Sequence, residues 1–153
     1  MTGVLWRPVF TLSLLNDPPL PRLVLDNTNG CLWDNHRRNL RWATIVQNNR
    51  NTGKRTGGPY KGVQPDKRRT TWCARITIGG KVHHVASAPT AELAVRTYDV
   101  AARIAFGNYT RTNQELGLLP PCTSGERLPH LDRFLEREQL LGAFPRDRGS
   151  YRT

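Results

Sequence analysis

Residues 72–102 read WCARITIGGKVHHVASAPTAELAVRTYDVAA, and this stretch decides the fold. The runs Thr71 to Ile78 and Lys81 to Val85 have strand length and cluster or alternate apolar residues around Gly79-Gly80. A Gly-Gly pair between two such runs signals a tight hairpin, because both turn residues can take positive φ. Downstream, Ala91, Ala94, Val95, Tyr98, Ala101, Ala102 and Ala105 recur at the 3.6-residue spacing of a helix. Thr90 is a good N-cap, Glu92 favours the positive helix start, and Gly107 can end the helix. An alanine-rich face lets a helix lie very close to a sheet. With Tyr60 to Val63 as a further strand, the expectation is three antiparallel strands, one helix across one face, and the opposite face free.

Working outward, Asn51 to Pro59 (NTGKRTGGP) carries three Gly, a Pro and no apolar side chain, so it reads as a flexible basic linker and a domain boundary. Before it, the cluster Pro18, Pro19 and Pro21 halts one element, and Leu23 to Leu25 reads as a short buried strand. Residues 26–35 form a loop, Asn39 to Thr44 resume an extended pattern, and Ile45 to Arg50 suit one or two helical turns. The apolar run Val4 to Leu15 is short, contains Arg7 and lacks a small-residue cleavage site, which favours a strand over a signal peptide or membrane span. After Asn113 the charges balance, Pro120-Pro121 and Ser124-Gly125 break the pattern, and a weak helix from Pro129 to Leu141, with Leu131, Phe134, Leu135 and Leu141 towards one side, reads as a surface helix or a partly disordered extension. The chain is therefore read as α+β, in the segments 1–50, 51–59, 60–113 and 114–153.

The net charge of +11 lies in residues 36–83, where twelve Lys and Arg face Asp66 alone. So dense a positive field has a polyanion as its natural partner, and nucleic acid leads the candidates. A hydrophobic share of 37% predicts small cores. Cys31, Cys73 and Cys122 are odd in number and lack paired C-x-x-C spacing, which argues against a zinc site and for a reduced, intracellular chain. The basic block places its expected work with DNA. Neither a membrane nor a small-molecule substrate is expected.

Residues 60–112 resemble the plant ethylene-response-factor, or Apetala-type, DNA-binding domain. The matching pieces are YKGV at Tyr60 to Val63, WCARITIGGK at Trp72 to Lys81, TAELAVRTYDVAA at Thr90 to Ala102 and FGNYTRTN at Phe106 to Asn113. The resemblance implies a three-stranded sheet lying in the major groove of double-stranded DNA. The residues suit that task independently, since a ribbon fits a groove about 12 Å wide and period-two side chains reach phosphates and base edges. Lys61, Lys67, Arg68, Arg69, Arg75 and Lys81 supply cations, Gln64 and Thr77 offer hydrogen bonds, and Trp72 either packs against sugar or belongs to the core. Arg69 and Arg75 are the candidates for reading guanine, because only Arg presents a bidentate fork. His83 and His84 are adjacent on a strand and point to opposite faces, so His84 is the expected sheet-surface contact. Ala86 and Ala88 stand where the family usually has Gly and Phe, which thins the strand-to-helix core. Gln64 and Asp66 stand where Arg is common, so binding dominated by phosphate contacts is expected.

Residues 22–50 resemble the core of phage-type HNH endonucleases, the ββα-metal nucleases of homing enzymes, through Asp34-Asn35, NLRWAT at Asn39 to Thr44 and QNN at Gln47 to Asn49. Asn27 to Asn39 is 12 residues and Asn39 to Asn48 is 9. The resemblance implies that Asp26 and Asn48 bind one Mg²⁺, an ion suited to oxygen ligands, and that Asn39 pins the loop. It also places Asn27 where the catalytic His belongs. A carboxamide can orient water but cannot take its proton near neutral pH, and losing a general base removes about 10² to 10⁴ in rate. His36, nine residues after Asn27 and where the family usually has Arg, is an imidazole that could in principle compensate. Nothing in the sequence places its ring at the attacked phosphate, and the alternative is a solvent-exposed loop residue. Two functions therefore compete: a DNA-binding protein whose nuclease half is crippled, and a working homing-type endonuclease guided by the sheet domain. A transcription regulator is a third reading.

Overall fold

A computed structural model describes residues 21–53, 58–119 and 128–140 of the 153-residue chain. The expected Val4 to Leu15 strand, the centre of the basic linker and Leu141 lie outside those residues. The architecture is α+β, with two small antiparallel sheets and helices packed on them. The chain divides into two compact units: the described residues up to Gly53 joined by Asn108–Arg111, and the remainder.

In the first unit, β1 (Leu23–Asn27) pairs antiparallel with β2 (Leu40–Thr44), and α1 (Ile45–Arg50) follows directly. The helix starts there because Thr44 and Gln47 form a capping box. The Thr44 hydroxyl accepts from the Gln47 amide at 3.2 Å, and Gln47 Oε1 accepts from the Thr44 amide at 2.8 Å. Asn51 is its C-cap. A short 3₁₀ turn, Arg37–Asn39, leads into β2.

In the second unit the strand order is β3-β4-β5, formed by Val63–Asp66, Thr71–Ile78 and Lys81–Ala88. The Gly79-Gly80 turn has positive φ at both residues, 57° and 79°, as its sequence predicts. The first strand lies later than the expected Tyr60 to Val63. Gly62 takes φ 74° and its backbone passes against the Tyr98 ring, so the chain turns there, leaving only a bridge between Tyr60 and Val63. The last strand runs three residues beyond the predicted end at Val85, to Ala88. α2 (Ala91–Phe106) starts with Thr90 Oγ1 accepting from the Leu93 amide at 3.3 Å and stops at Gly107, φ 56°.

Val63, Ala74, Ile76, Val85, Ala86 and Ala88 from the sheet and Ala94, Val95, Tyr98, Ala101 and Ala102 from α2 form one buried cluster. Phe134, 1% exposed, completes it from α3 (Pro129–Leu140), which packs on β5 and α2. The expected surface helix is thus part of the core, and its aromatic ring joins a cluster that the small side chains of Ala86 and Ala88 leave thin.

Candidate nucleic-acid interface and hydrolytic cleft

Strand register sorts the second unit's side chains into two faces. Val63, Ala74 and Ile76 point to α2, while the cross-strand rows Gln64–Cys73–Ser87, Arg75–His84 and Thr77–Val82 occupy the other face. A bulge between Ala74 and Arg75, with Val85 as the extra residue of β5, keeps His84 opposite Arg75. Gln64, Arg75, Thr77, Val82, His84 and Ser87 are exposed, and His84 Nε2 lies 2.8 Å from Ser87 Oγ. A concavity of about 520 Å³ opens on this side, lined by Gln64, Asp66, Lys67, Arg68, Cys73 and Arg75 among others.

Lys67, Arg68 and Arg69 sit exposed on the β3–β4 turn, which Asp66 organises: its carboxylate accepts from the Arg68 amide at 3.0 Å and its carbonyl from the Arg69 amide at 3.3 Å. Lys81 is exposed at the hairpin tip. Trp72 lies on the core side, half-buried and edge-on to Tyr60 at 6.1 Å, so its placement is that of a support for the ribbon. Lys61 is held from within the unit. Its amide donates to Asn113 Oδ1 at 2.6 Å, its carbonyl accepts from Asn113 Nδ2 at 3.1 Å, and its charge favours the Asp99 carboxylate. Burial pushes Asp99 upward from the ordinary carboxylate range, against the opposing pull of hydrogen bonds from the Asn113 amide and side chain and the Gln114 amide.

The first unit gathers Asp26, Asn27 and Asn48 around a cleft of about 400 Å³, with Asn51 and Arg111 also lining it. Asp26 is 3% exposed, and its carboxylate is already engaged. Oδ2 faces Arg41 Nε and Nη2 at 2.8 and 2.7 Å, and Oδ1 accepts from Asn51 Nδ2 at 2.9 Å. Arg41 is fixed in turn, donating to the Asn108 carbonyl at 2.7 Å and lying over the Tyr109 ring at 4.3 Å. Asn27 donates to the Asp34 carbonyl at 3.0 Å, which makes it a brace of the loop. Asn39 braces the same loop: Nδ2 donates to the Asp34 carbonyl at 2.6 Å and Oδ1 accepts from the Asn29 amide at 2.9 Å. His36 does not line the cleft; its ring is paired with Asp34 at 2.8 Å, a contact that holds the Asp34 carboxyl below its usual value.

The residues present do not fit the Mg²⁺ that the sequence resemblance implies. A small divalent cation needs carboxylate charge that is free to approach it. Here Arg41 neutralises Asp26, and Arg111 adds a guanidinium to the cleft wall. Asn51 Oδ1 is buried without a partner among the described residues, and Asn51 donates both to Asp26 and, at 2.7 Å, to the Asn27 carbonyl. Neutral carboxamide oxygens beside a neutralised carboxylate suit a water or an N–H donor better than a divalent cation. Among the described residues, no three of His, Cys, Asp and Glu group where a metal ion could sit.

Sequence reasoning missed Arg41 and Asn51. The Arg41 pairing was available in principle, since the register sets Asp26 directly opposite Arg41. Nothing in the sequence distinguishes Asn51 from Asn48 and Asn49. No helix of the described residues is long and apolar enough to cross a membrane. No family model, curated protein or solved structure matches the chain.

Proposed function

We propose that this chain is a sequence-tolerant double-stranded DNA-binding protein of HNH-endonuclease ancestry, whose ethylene-response-factor-type sheet docks in the major groove and whose hydrolytic unit has lost cleavage. The observation that carries the reading is the sheet face on which Arg75, Gln64, Thr77 and His84 are exposed beside a concavity edged by Lys67 and Arg68. Guanidinium and ammonium groups on an exposed ribbon neutralise phosphates, and the exposed Arg75 would contribute one such contact. Loss of cleavage follows from two features together: Asn27 has no basic nitrogen, and the Asp26 charge is spent on Arg41.

The second reading, an active metal-dependent endonuclease, draws on Asp26 and Asn48 opening on one cleft. Supercoiled plasmid incubated with the protein and Mg²⁺ or Mn²⁺ separates the two. Retarded but un-nicked DNA is the expected outcome, whereas nicked circles at sub-stoichiometric protein would replace the first reading with the second.

A further inference from the structure

The loop between β1 and β2 makes a tight turn at Cys31–Asp34, closed by the Asp34 amide donating to the Cys31 carbonyl at 3.2 Å. Central turn positions ordinarily carry Gly, Asn, Asp, Pro or Ser. Here they carry Leu32 and Trp33, which are 68% and 81% exposed. Two large apolar side chains in water at adjacent positions are a cost to the free protein that folding does not recover.

The turn is held by a set of hydrogen bonds. Asn29 Nδ2 donates to Asp34 Oδ2 at 2.8 Å and Asn29 Oδ1 accepts from the Cys31 amide at 2.8 Å. Asn27 and Asn39 both donate to the Asp34 carbonyl, and the Thr28 amide donates to the Asn39 carbonyl at 2.8 Å. A braced turn spares the ordering cost that a mobile loop would incur on binding.

We propose that Trp33, with Leu32 beside it, is an apolar wedge that stacks on or enters a base step of bound DNA. Charge selects this occupant over an apolar protein surface. The same loop carries Arg37 and Arg38, both exposed and both in the 3₁₀ turn that follows, so a polyanion is drawn to the flank of the wedge. Apolar side chains that unstack a step beside phosphate-binding cations are a recurrent way of holding duplex DNA, and an indole has a π-face that any base can meet. This inference rests on the DNA-binding reading.

Trp33→Ala removes the wedge without touching the braces, so the fold is retained. Affinity for a short duplex should fall roughly ten- to a hundredfold. The slope of log K against log salt should stay as in the unaltered chain, because an apolar contact releases no counterion. Trp33→Phe should keep most of the affinity. A 2-aminopurine duplex should brighten on binding the unaltered chain and not on binding Trp33→Ala, as the probe base loses its stacked neighbour. The wedge is overturned if Trp33→Ala binds as tightly as the unaltered chain, or if the substitution instead abolishes self-association and leaves DNA affinity intact. Arg75→Ala in the same titration separates the two claims. An effect at Arg75 without one at Trp33 removes the wedge alone, whereas no DNA affinity in the unaltered chain removes the DNA-binding reading.

Discussion

Asp26 is the residue on which the proposed loss of cleavage rests, and its carboxylate is engaged by Arg41 and Asn51. Because Arg41 offsets a carboxylate that is almost fully buried, Arg41→Ala leaves an uncompensated charge and should cost about 3 kcal/mol in urea denaturation. On the proposed reading, Asn27→His should not by itself confer plasmid nicking, since the carboxylate stays ion-paired. Nicking by that variant would show that only the base was missing. At the loop, Asp34 is held below its ordinary value chiefly by the His36 side chain. The depressed native value means that this tie is present above the ordinary carboxylate range and is lost as pH falls through the lowered one.

α3 shows why an element with modest sequence signal can still be structural. Phe134 is 1% exposed in the same cluster as Ala86, Ala88 and Val95, so Phe134→Ala should lower stability by about 3–5 kcal/mol, read from the urea midpoint. A change below about 0.5 kcal/mol would return the helix to the surface. Asp99 ties α2 to the segment at Asn113 and Gln114. It accepts from Asn113 at Oδ1 and from the Gln114 amide at Oδ2, so Asp99→Asn turns an NH₂ towards one of those donors and should cost about 1–3 kcal/mol. The native Asp99 value is raised above 3.8, so the folded state binds this proton more readily than the unfolded one. Asp99's contribution therefore falls as pH rises from 3.8 through the raised value, and a stability profile between those limits checks the sign.

The hairpin, α2 and its caps were legible because they rest on local chemistry: two glycines at positive φ, Thr90 on the Leu93 amide, and alanines at helical spacing. The TIVQ capping box at Thr44–Gln47 was equally local and went unread. The start of β3 was misjudged because it depends on Gly62 passing the Tyr98 ring, a contact 36 residues away in the chain. A Cβ at Gly62 would lie 2.1 Å from that ring, and the residue has φ 74°. Gly62→Ala should therefore destabilise by about 2–4 kcal/mol, checked by thermal or urea unfolding. The same limit explains the cleft. Sequence could nominate Asp26 and Asn48, which do share a cleft, but not that Arg41 and Asn51 had already taken up the carboxylate.

For the molecule as a whole, charge is the organising property: net +11, with the excess in residues 36–83. Those residues include both the exposed Arg37 and Arg38 of the first unit and the cations around the exposed sheet-face residues of the second. A protein built this way should bind duplex DNA with strong salt dependence and little discrimination between sequences. The most direct test is a salt titration of duplex binding by the unaltered chain and by Arg75→Ala. The account predicts weaker binding by the variant and a log K against log salt slope shallower by about 0.9. Identical affinity and slope in the two proteins would contradict the assignment of that sheet face to DNA.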